Sequence, residues 1–195
     1  MINIYYIVLS LNCGQIPRFL FFTKGFKSIE LMDVYIFIVA VKNTMNLEES
    51  MMIRRLNVNE EEMNKIMEIW KTSTIQAHQF IPKEYWLKNY EIVKEKYVPM
   101  AETYVCLDEN EIKGFISIIQ GEYIGALFVD IHCQAKGIGG ELIEYVKEIY
   151  DSLTLGVYKE NKKAVTFYEK VGFIKKCEKL NEETNELEYI MNFQK

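Results

Sequence analysis

The sequence predicts an α/β domain over residues 51–195, and three observations support this class. Runs of β-branched and aromatic residues alternate with segments whose apolar residues recur at helical spacing. The chain has 195 residues, of which 49% are hydrophobic and 13% aromatic, which is enough for one domain with a core. The predicted element order is β-α-α-β-β-β-α-β-α-β-β, without a repeat or a linker. Such an order is typical of a sheet flanked by helices.

Residues 1–50 do not fit this pattern. Their apolar runs, 2–11 and 31–41, are both shorter than the ~20 residues of a membrane-spanning helix. The first residues also lack the positive charge of a signal peptide. We expect translation to start at one of three later methionines, Met45, Met51 or Met52. The alternative is an extra N-terminal hairpin packed on the domain, and the intact mass of natively expressed protein distinguishes the two.

The first predicted elements are a short strand over 53–56 and a helix capped by Asn59, with Glu62 as its capping-box partner. The apolar residues of this helix follow the i, i+3, i+4, i+7 pattern: Met63, Ile66, Met67 and Trp70. A loop or last helical turn is expected over 75–81. A second helix should begin at Pro82, which suits a first helical position, and end at Pro99.

Strands are predicted over 103–107 and 112–120, joined by a turn at 108–110, and the central strand over 123–129 follows. After a helix to about Tyr150, a fifth strand covers 153–157. Asn161 should cap a helix running to Val171. The last hairpin pairs 173–179 with 187–193.

The segment 127–145 indicates a strand, a glycine-containing turn and a helix start. Gly137, Gly139 and Gly140 lie where the helix opens, and a helix start presents unpaired N–H groups that bind phosphate. A P-loop is disfavoured because no Gly-Lys-Ser/Thr is present. A dinucleotide fingerprint is disfavoured because Leu142 occupies the position of its third glycine.

Two motifs add a family resemblance. Residues 134–139, Gln-Ala-Lys-Gly-Ile-Gly, resemble the Q/R-x-x-G-x-G/A signature of the GCN5-related N-acetyltransferase (GNAT) superfamily. Residues 161–168 resemble its second motif, N-x-x-A-x-x-F-Y, and Gly172-Phe173 follows. Ile131 departs from the family, which often has proline there. The stretch from Ser73 to His78-Gln79-Phe80 is similar to the bacterial YjaB-type branch.

The resemblance implies a GNAT fold with a mixed central sheet, acetyl-coenzyme A as cosubstrate, and no metal. The pyrophosphate would lie on the backbone amides of Gln134, Ala135, Lys136, Gly137, Ile138, Gly139 and Gly140. The pantetheine would add like a strand to the edge of Leu127, Phe128 and Val129, where the central strand splays from the next one near a bulge. A backbone N–H of the Leu127–Phe128 region would bind the thioester oxygen. Asn161 would contact the cofactor, although helix capping explains it equally well.

The resemblance also implies that the acceptor amine attacks the thioester directly. Tyr168 is expected to protonate the departing thiolate as a general acid. Glu122 and His78 are candidates for the base that deprotonates the amine. His78, Phe80 and Tyr123 are expected to line the acceptor site.

Charge and cysteine content restrict the partners. The net charge of −5 and the pI near 5.3 argue against a nucleic-acid partner and favour an amine-bearing small molecule or peptide. Three lysines, Lys159, Lys162 and Lys163, are too few for a nucleic-acid face. The four cysteines have no C-x-x-C spacing, which is typical of a reducing cytoplasm. We expect no membrane association, and a homodimer is possible in this family. The alternative functions are transfer of a longer acyl group and coenzyme A binding without catalysis.

Overall fold

A computed structural model describes residues 4–9, 18–23 and 51–195. Strands β1 (Ile4–Leu9) and β2 (Arg18–Thr23) pair antiparallel within one compact unit, Met1–Glu48. The apolar run 31–41 and the expected start at Met45 lie outside the described residues. The hypothesis of a later start therefore stays a prediction.

The second compact unit, Glu49–Lys195, contains a seven-stranded sheet in the order β3-β4-β5-β6-β7-β9-β8. Only β6 and β7 run parallel among these neighbours, so the predicted mixed sheet is confirmed. The strands are β3 (Met52–Arg55), β4 (Glu102–Asp108), β5 (Glu111–Ile119), β6 (Tyr123–Val129), β7 (Ser152–Tyr158), β8 (Ile174–Asn181) and β9 (Glu186–Gln194).

Helices cover both faces of this sheet, and the predicted element order is confirmed. They are α1 (Glu60–Ala77), α2 (Lys83–Ile92), α3 (Val98–Met100), α4 (Ile138–Ile149) and α5 (Lys162–Lys170). A π-helix, Val93–Tyr97, joins α2 to α3 without a break. Buried residues of α1, such as Ile66 and Met67, form the core on one face. Leu142, Ile143 and Val146 of α4 belong to the core on the other face.

A bulge in β6 determines which side chains face each core. Ser117 pairs with Ala126 and Ile118 pairs with Ile124, so Gly125 is an extra residue. Ile124 and Leu127 consequently pack in the same core as α4, although they are three positions apart. In a regular strand these two residues would face opposite sides.

Helix α1 ends at Ala77 within the expected loop or last turn, and the His78 backbone N–H still donates to Thr74 O at 3.1 Å. One local prediction needs correction. The capping box is half formed: Asn59 Oδ1 accepts from the Glu62 N–H at 2.9 Å. The Glu62 carboxylate instead binds the Asn57 backbone N–H and the Arg54 guanidinium, because a charged partner makes the stronger hydrogen bond.

Candidate active site

A gap opens between β6 and β7. The two strands pair only at Tyr123 and Thr154, where the Thr154 N–H donates to Glu122 O at 2.8 Å. On its other edge, β6 is paired with β5, and the Asp130 N–H donates to Lys113 O at 2.8 Å. Because antiparallel ladders alternate, the N–H groups of Leu127 and Val129 face the gap.

The same alternation corrects one expectation. The N–H of Phe128 points toward β5 and belongs to the β5–β6 ladder, so of the predicted oxyanion-binding pair only Leu127 has its N–H directed at the gap. The Phe128 ring packs 5.9 Å from the Phe115 ring in the α1-side core. Its side chain is therefore a core element.

The turn between β6 and α4 forms a cradle of free amides. The first hydrogen bond of α4 runs from the Glu141 N–H to Gly137 O at 3.1 Å. Within residues 51–195, the seven backbone N–H groups from Gln134 to Gly140 donate no hydrogen bond. Ala135 and Gly137 have positive φ values of 62° and 90°. Left-handed residues within a turn gather N–H groups into an anion-binding concavity.

A basic pocket of about 450 Å³ lies beside this cradle. It is lined by Lys162, Lys163, Thr166, Phe167 and Lys170 of α5. The Phe167 ring is only 3.4 Å from the position that a Cβ on Gly139 would take, so the pocket borders the start of α4. Lys162 and Lys163, two of the three lysines that are too few for a nucleic-acid face, thus line a concave surface next to the free amides.

Tyr168 lies in the core under α5 with 9% of its surface exposed. Its ring packs 5.3 Å from the Phe167 ring and 5.6 Å from the Phe173 ring. Burial raises the pKa of the Tyr168 phenol, and the neighbouring Tyr123 raises it further. The phenol therefore keeps its proton at neutral pH.

His78 and Asn161 are hydrogen-bonded to each other. His78 Nδ1 lies 3.0 Å from Thr74 O, and since a carbonyl only accepts, Nδ1 carries the hydrogen of the neutral ring. Nε2 then accepts from Asn161 Nδ2 at 3.3 Å. Burial lowers the pKa of His78, although the bond to Thr74 opposes this shift. Both ring nitrogens are occupied, which disfavours His78 as the base.

Asn161 has the cap that the sequence predicted. Its Oδ1 accepts from the Ala164 N–H at 3.1 Å at the start of α5. The oxygen and the nitrogen of its amide therefore both have partners within the protein.

Aromatic side chains form a cluster on the α1 side of the gap. The His78 ring lies 5.7 Å from Phe80, 5.2 Å from Trp86 and 5.3 Å from Tyr158. Tyr85 packs on Trp86 at 4.9 Å. We call these five residues the aromatic wall. Trp86 Nε1 is buried without a hydrogen-bond partner in the described part of the chain, whereas buried indole N–H groups usually have one.

A carboxylate adjoins this wall. A Cβ on Gly156 would lie 3.1 Å from Tyr123 Oη and 3.4 Å from Glu188 Oε2, so both side chains lie over this glycine. Glu188 Oε1 accepts from Asn181 Nδ2 at 3.0 Å. No local pattern in the sequence distinguishes Glu188 from the other polar residues of β9, such as Glu186 and Asn192. Glu122, by contrast, is exposed in the turn before β6.

Residues 51–195 hold no group of three His, Cys, Asp or Glu side chains arranged for a metal ion. Among the described helices, none combines the length and apolarity needed to cross a membrane.

Comparisons with known proteins agree with this geometry. The family described as "Acetyltransferase (GNAT) domain" matches residues 72–190. The peptidyl-lysine N-acetyltransferase YiaC of Escherichia coli K12 is 35% identical over 112 residues, 57% of this chain and 77% of that protein. The peptidyl-lysine N-acetyltransferase YjaB of Salmonella typhimurium is 35% identical over 124 residues, 63% of this chain and 84% of that protein.

A solved structure shows the same fold. The solution structure of apo YjaB from Escherichia coli superposes with a TM-score of 0.65 at 27% identity, covering 74% of this chain and 97% of that one. The predicted resemblance to the YjaB-type branch is thereby confirmed. The chain is an N-acetyltransferase and belongs to the GNAT superfamily.

Proposed function

We propose that this enzyme transfers the acetyl group of acetyl-coenzyme A to the ε-amino group of lysine in a peptide or protein. One observation carries the proposal: the free-amide cradle follows the end of β6, and Tyr158 of the aromatic wall ends the neighbouring strand β7, so both lie where these two strands have separated. The named activity of the relatives YiaC and YjaB supports lysine as the acceptor.

The donor suits the residues around the gap. The amides from Gln134 to Gly140 would hold the pyrophosphate, because a helix start offers both N–H groups and a positive dipole end. Lys163 and Lys170 of the basic pocket would add charge for a further phosphate. The amide-rich pantetheine would pair with the gap-facing edge of β6, and the Leu127 N–H would bind the thioester oxygen.

The acceptor suits the aromatic wall. A lysine side chain has an apolar stem and a cationic tip, and aromatic faces attract both. Phe80 and Tyr158, whose ring centroids are 5.7 Å apart, are both half-buried and therefore partly accessible. Such a site favours a long amine-bearing side chain over a compact polar acceptor.

In the proposed reaction, the neutral amine attacks the thioester carbon, the C–N bond forms and the C–S bond breaks. The Tyr168 phenol gives its proton to the departing sulfur. A positioned general acid typically contributes about 10²–10⁴-fold to the rate.

The test is thiol release from acetyl-coenzyme A with lysine peptides, N-terminal peptides, polyamines and aminoglycosides as acceptors. We expect turnover of lysine peptides, with modification of the ε-amino group by mass spectrometry. Tyr168→Phe should lower kcat by about 10²-fold or more. The control is Tyr145→Phe, because Tyr145 packs on Tyr104 at 5.3 Å on another part of the core. Turnover confined to another amine class would contradict the lysine assignment.

A second candidate donor rests on a different observation. A mainly apolar pocket of about 220 Å³ borders the β6 bulge, with Trp70, Tyr97, Val98, Tyr123 and Gly125 among its lining residues. It offers space for an acyl chain longer than acetyl. The corresponding test compares kcat/KM for acetyl-, propionyl- and butyryl-coenzyme A, and a steep fall with chain length would exclude this donor class.

A further inference from the structure

We propose that Glu188 is the carboxylate that binds the acceptor's ammonium group and takes its proton before attack. The inference deepens the proposed function, because it assigns the acceptor end of the same gap. It replaces Glu122 and His78, the two bases that the sequence suggested, with a residue from the last strand.

The position of Glu188 supports this role. Its Oε2 lies over Gly156 of β7 beside the Tyr123 hydroxyl, at the point where β6 and β7 separate. Gly156 has no side chain to fill this space, and a Cβ there would be in close contact with the Tyr123 hydroxyl, at 3.1 Å. Glu188 therefore lies beside Tyr123 at one end of the gap.

Hydrogen bonding keeps Glu188 oriented. Asn181 Nδ2 donates to Oε1 at 3.0 Å, which leaves Oε2 as the oxygen turned toward Tyr123. In sheet register, Glu188 lies directly opposite Tyr158 of the aromatic wall. A cation that follows the wall toward the gap would thus meet a fixed carboxylate oxygen.

The surroundings of Glu188 are acidic and phenolic. Tyr85, Tyr123 and Tyr158 have pKa values raised mainly by burial, and each is raised further by Glu188. Glu183, which accepts from the Tyr85 hydroxyl at 2.6 Å, and Glu186 add negative charge. His78 stays neutral on the wall, and Lys179 is the register partner of Glu188 on β8. This environment favours an incoming ammonium group over a neutral or anionic acceptor.

The positions of Glu122 and His78 suit the role of the base less well than that of Glu188. Glu122 is exposed in a turn, and its backbone, rather than its carboxylate, takes part in the β6–β7 contact. Both nitrogens of His78 are already hydrogen-bonded. Glu188 is half-buried, and its Oε2, which lies at the gap, accepts no hydrogen bond within residues 51–195.

The protons balance as follows. The ammonium group gives one proton to Glu188, and the neutral nitrogen attacks the thioester carbon. Collapse breaks the C–S bond, the sulfur takes a proton from Tyr168, and the new amide nitrogen loses its second proton. Exchange with water then restores the carboxylate and the phenol, so that one proton is released for each acetyl group transferred.

A pH profile of the full-length enzyme tests the proton transfer. Glu188→Gln should lower kcat/KM for a lysine peptide by about 10²-fold at pH 7 and lose less at high pH, where the amine is neutral in solution. A peptide bearing an aminooxy group, which is neutral at pH 7, should largely escape the defect. The control is Glu178→Gln on the neighbouring strand, where the carboxylate binds Lys159 at 3.0 Å on the surface. An equal loss at every pH and with both acceptors would overturn the proposal.

A binding measurement does not depend on turnover. The two tryptophans give two indole N–H signals by NMR, and one belongs to Trp86 in the aromatic wall. Titration with n-butylammonium should shift the Trp86 signal, whereas 1-butanol should not. Glu188→Gln should weaken this binding by about tenfold or more, and Glu178→Gln should leave it unchanged. Failure of n-butylammonium to bind, or equal binding by all three proteins, would overturn the role of Glu188 even if lysine peptides are acetylated. Conversely, retained ammonium binding without lysine acetylation would reject only the acceptor class.

Discussion

The side-chain amide of Asn161 links His78 to the first turn of α5, because its nitrogen lies 3.3 Å from His78 Nε2 while its oxygen caps the helix through Ala164. One residue thus connects the end of α1 with the helix that carries Tyr168. The residue that the family resemblance assigned to cofactor contact has both polar atoms occupied inside the protein. A substitution of Asn161 should therefore change both the stability of the protein and the pKa of His78.

Asn161→Asp should reverse the effect of His78 on stability. In the native protein, the pKa of His78 is lowered from 6.5, so stability falls as pH drops through the unfolded value. An aspartate keeps the cap and places a negative charge beside Nε2, which raises the pKa. In this variant, the ion pair between the aspartate and His78 stabilises the protein below the unfolded-state pKa of His78. This stabilisation is lost as the pH rises through the raised pKa of His78 in the folded state.

NMR titration of the two histidine rings measures this change, with His132 as the second signal. Asn161→Ser is the control, because it keeps a capping oxygen without adding charge. A His78 pKa that is the same in the Asp and Ser variants would contradict the contact.

Gly140→Ala should stabilise the folded protein while it weakens the binding of acetyl-coenzyme A. A Cβ at this helical glycine would meet open space, so we expect alanine to stabilise the protein by about 0.5–1 kcal/mol. If phosphate approaches the free amides closely, the same methyl group should raise KM for acetyl-coenzyme A. Thermal unfolding and initial rates measure the two effects. An unchanged KM would contradict a phosphate at Gly140.

Gly137→Ala provides the contrasting case. Gly137 has φ of 90°, where alanine is strained, and we expect a loss of about 1–2 kcal/mol from the free energy of unfolding. The neighbouring space is open, so the cost is one of backbone conformation. A variant as stable as the native protein by denaturant titration would show that this turn relaxes.

Glu62→Gln should weaken the attachment of β3 to α1. The carboxylate binds Arg54 at 2.8 and 3.1 Å and the Asn57 N–H at 3.0 Å. Because the Arg54 side chain is 30% exposed, we expect a cost of about 1–2 kcal/mol at neutral pH. Glu61→Gln, on the exposed part of the same helical turn, is the control.

Acid titration gives an independent check on Glu62. The hydrogen bond from Arg54 is the largest cause that lowers its pKa from 4.5 to about 2. A depressed folded pKa contributes stability above the unfolded value, and this contribution is lost as pH falls from about 4.5 to about 2. The native protein should therefore lose more stability than Glu62→Gln over this range. Parallel curves would contradict the ion pair.

Removal of two lysines should impair binding of the fully phosphorylated donor. Lys163→Ala combined with Lys170→Ala removes two exposed cations from the basic pocket, and we expect KM for acetyl-coenzyme A to rise about tenfold. The effect should shrink with acetyl-dephospho-coenzyme A, which lacks the ribose phosphate, and at high salt. Lys83→Ala combined with Lys88→Ala on α2 is the charge-matched control. An equal effect on both donors would place that phosphate elsewhere.

Features set by local chemistry could be predicted from the sequence. The bounds of β6 agree with the prediction, because a β-prone run ends at a glycine-rich turn. Leu142, Ile143 and Val146 recur at helical spacing in the sequence, and all three are buried. Asn59 and Asn161 both cap helices. In each case neighbours in the chain determine the outcome.

Features that depend on distant segments could not be predicted. Tyr85 meets Glu183 across 98 positions, and no local pattern indicates that pairing. Glu188 lies on a strand with many polar residues, and its place beside Tyr123 follows from sheet order alone. The Glu62 carboxylate binds the Arg54 guanidinium instead of completing the capping box with Asn59, because this guanidinium lies within hydrogen-bonding distance. The acceptor end of the site is built from such contacts, whereas the amide cradle is local.

Gly125 shows that the number of residues in a strand can be as important to a binding edge as their identity. Deleting this one surplus residue would restore strict alternation along β6. Either Leu127 and Val129 would then exchange places with Phe128, or the strand before the bulge would turn over. In the first case the amides now directed at the gap would join the ladder with β5. The bulge thus determines which residues of β6, Leu127 and Val129 rather than Phe128, direct their amides at the gap.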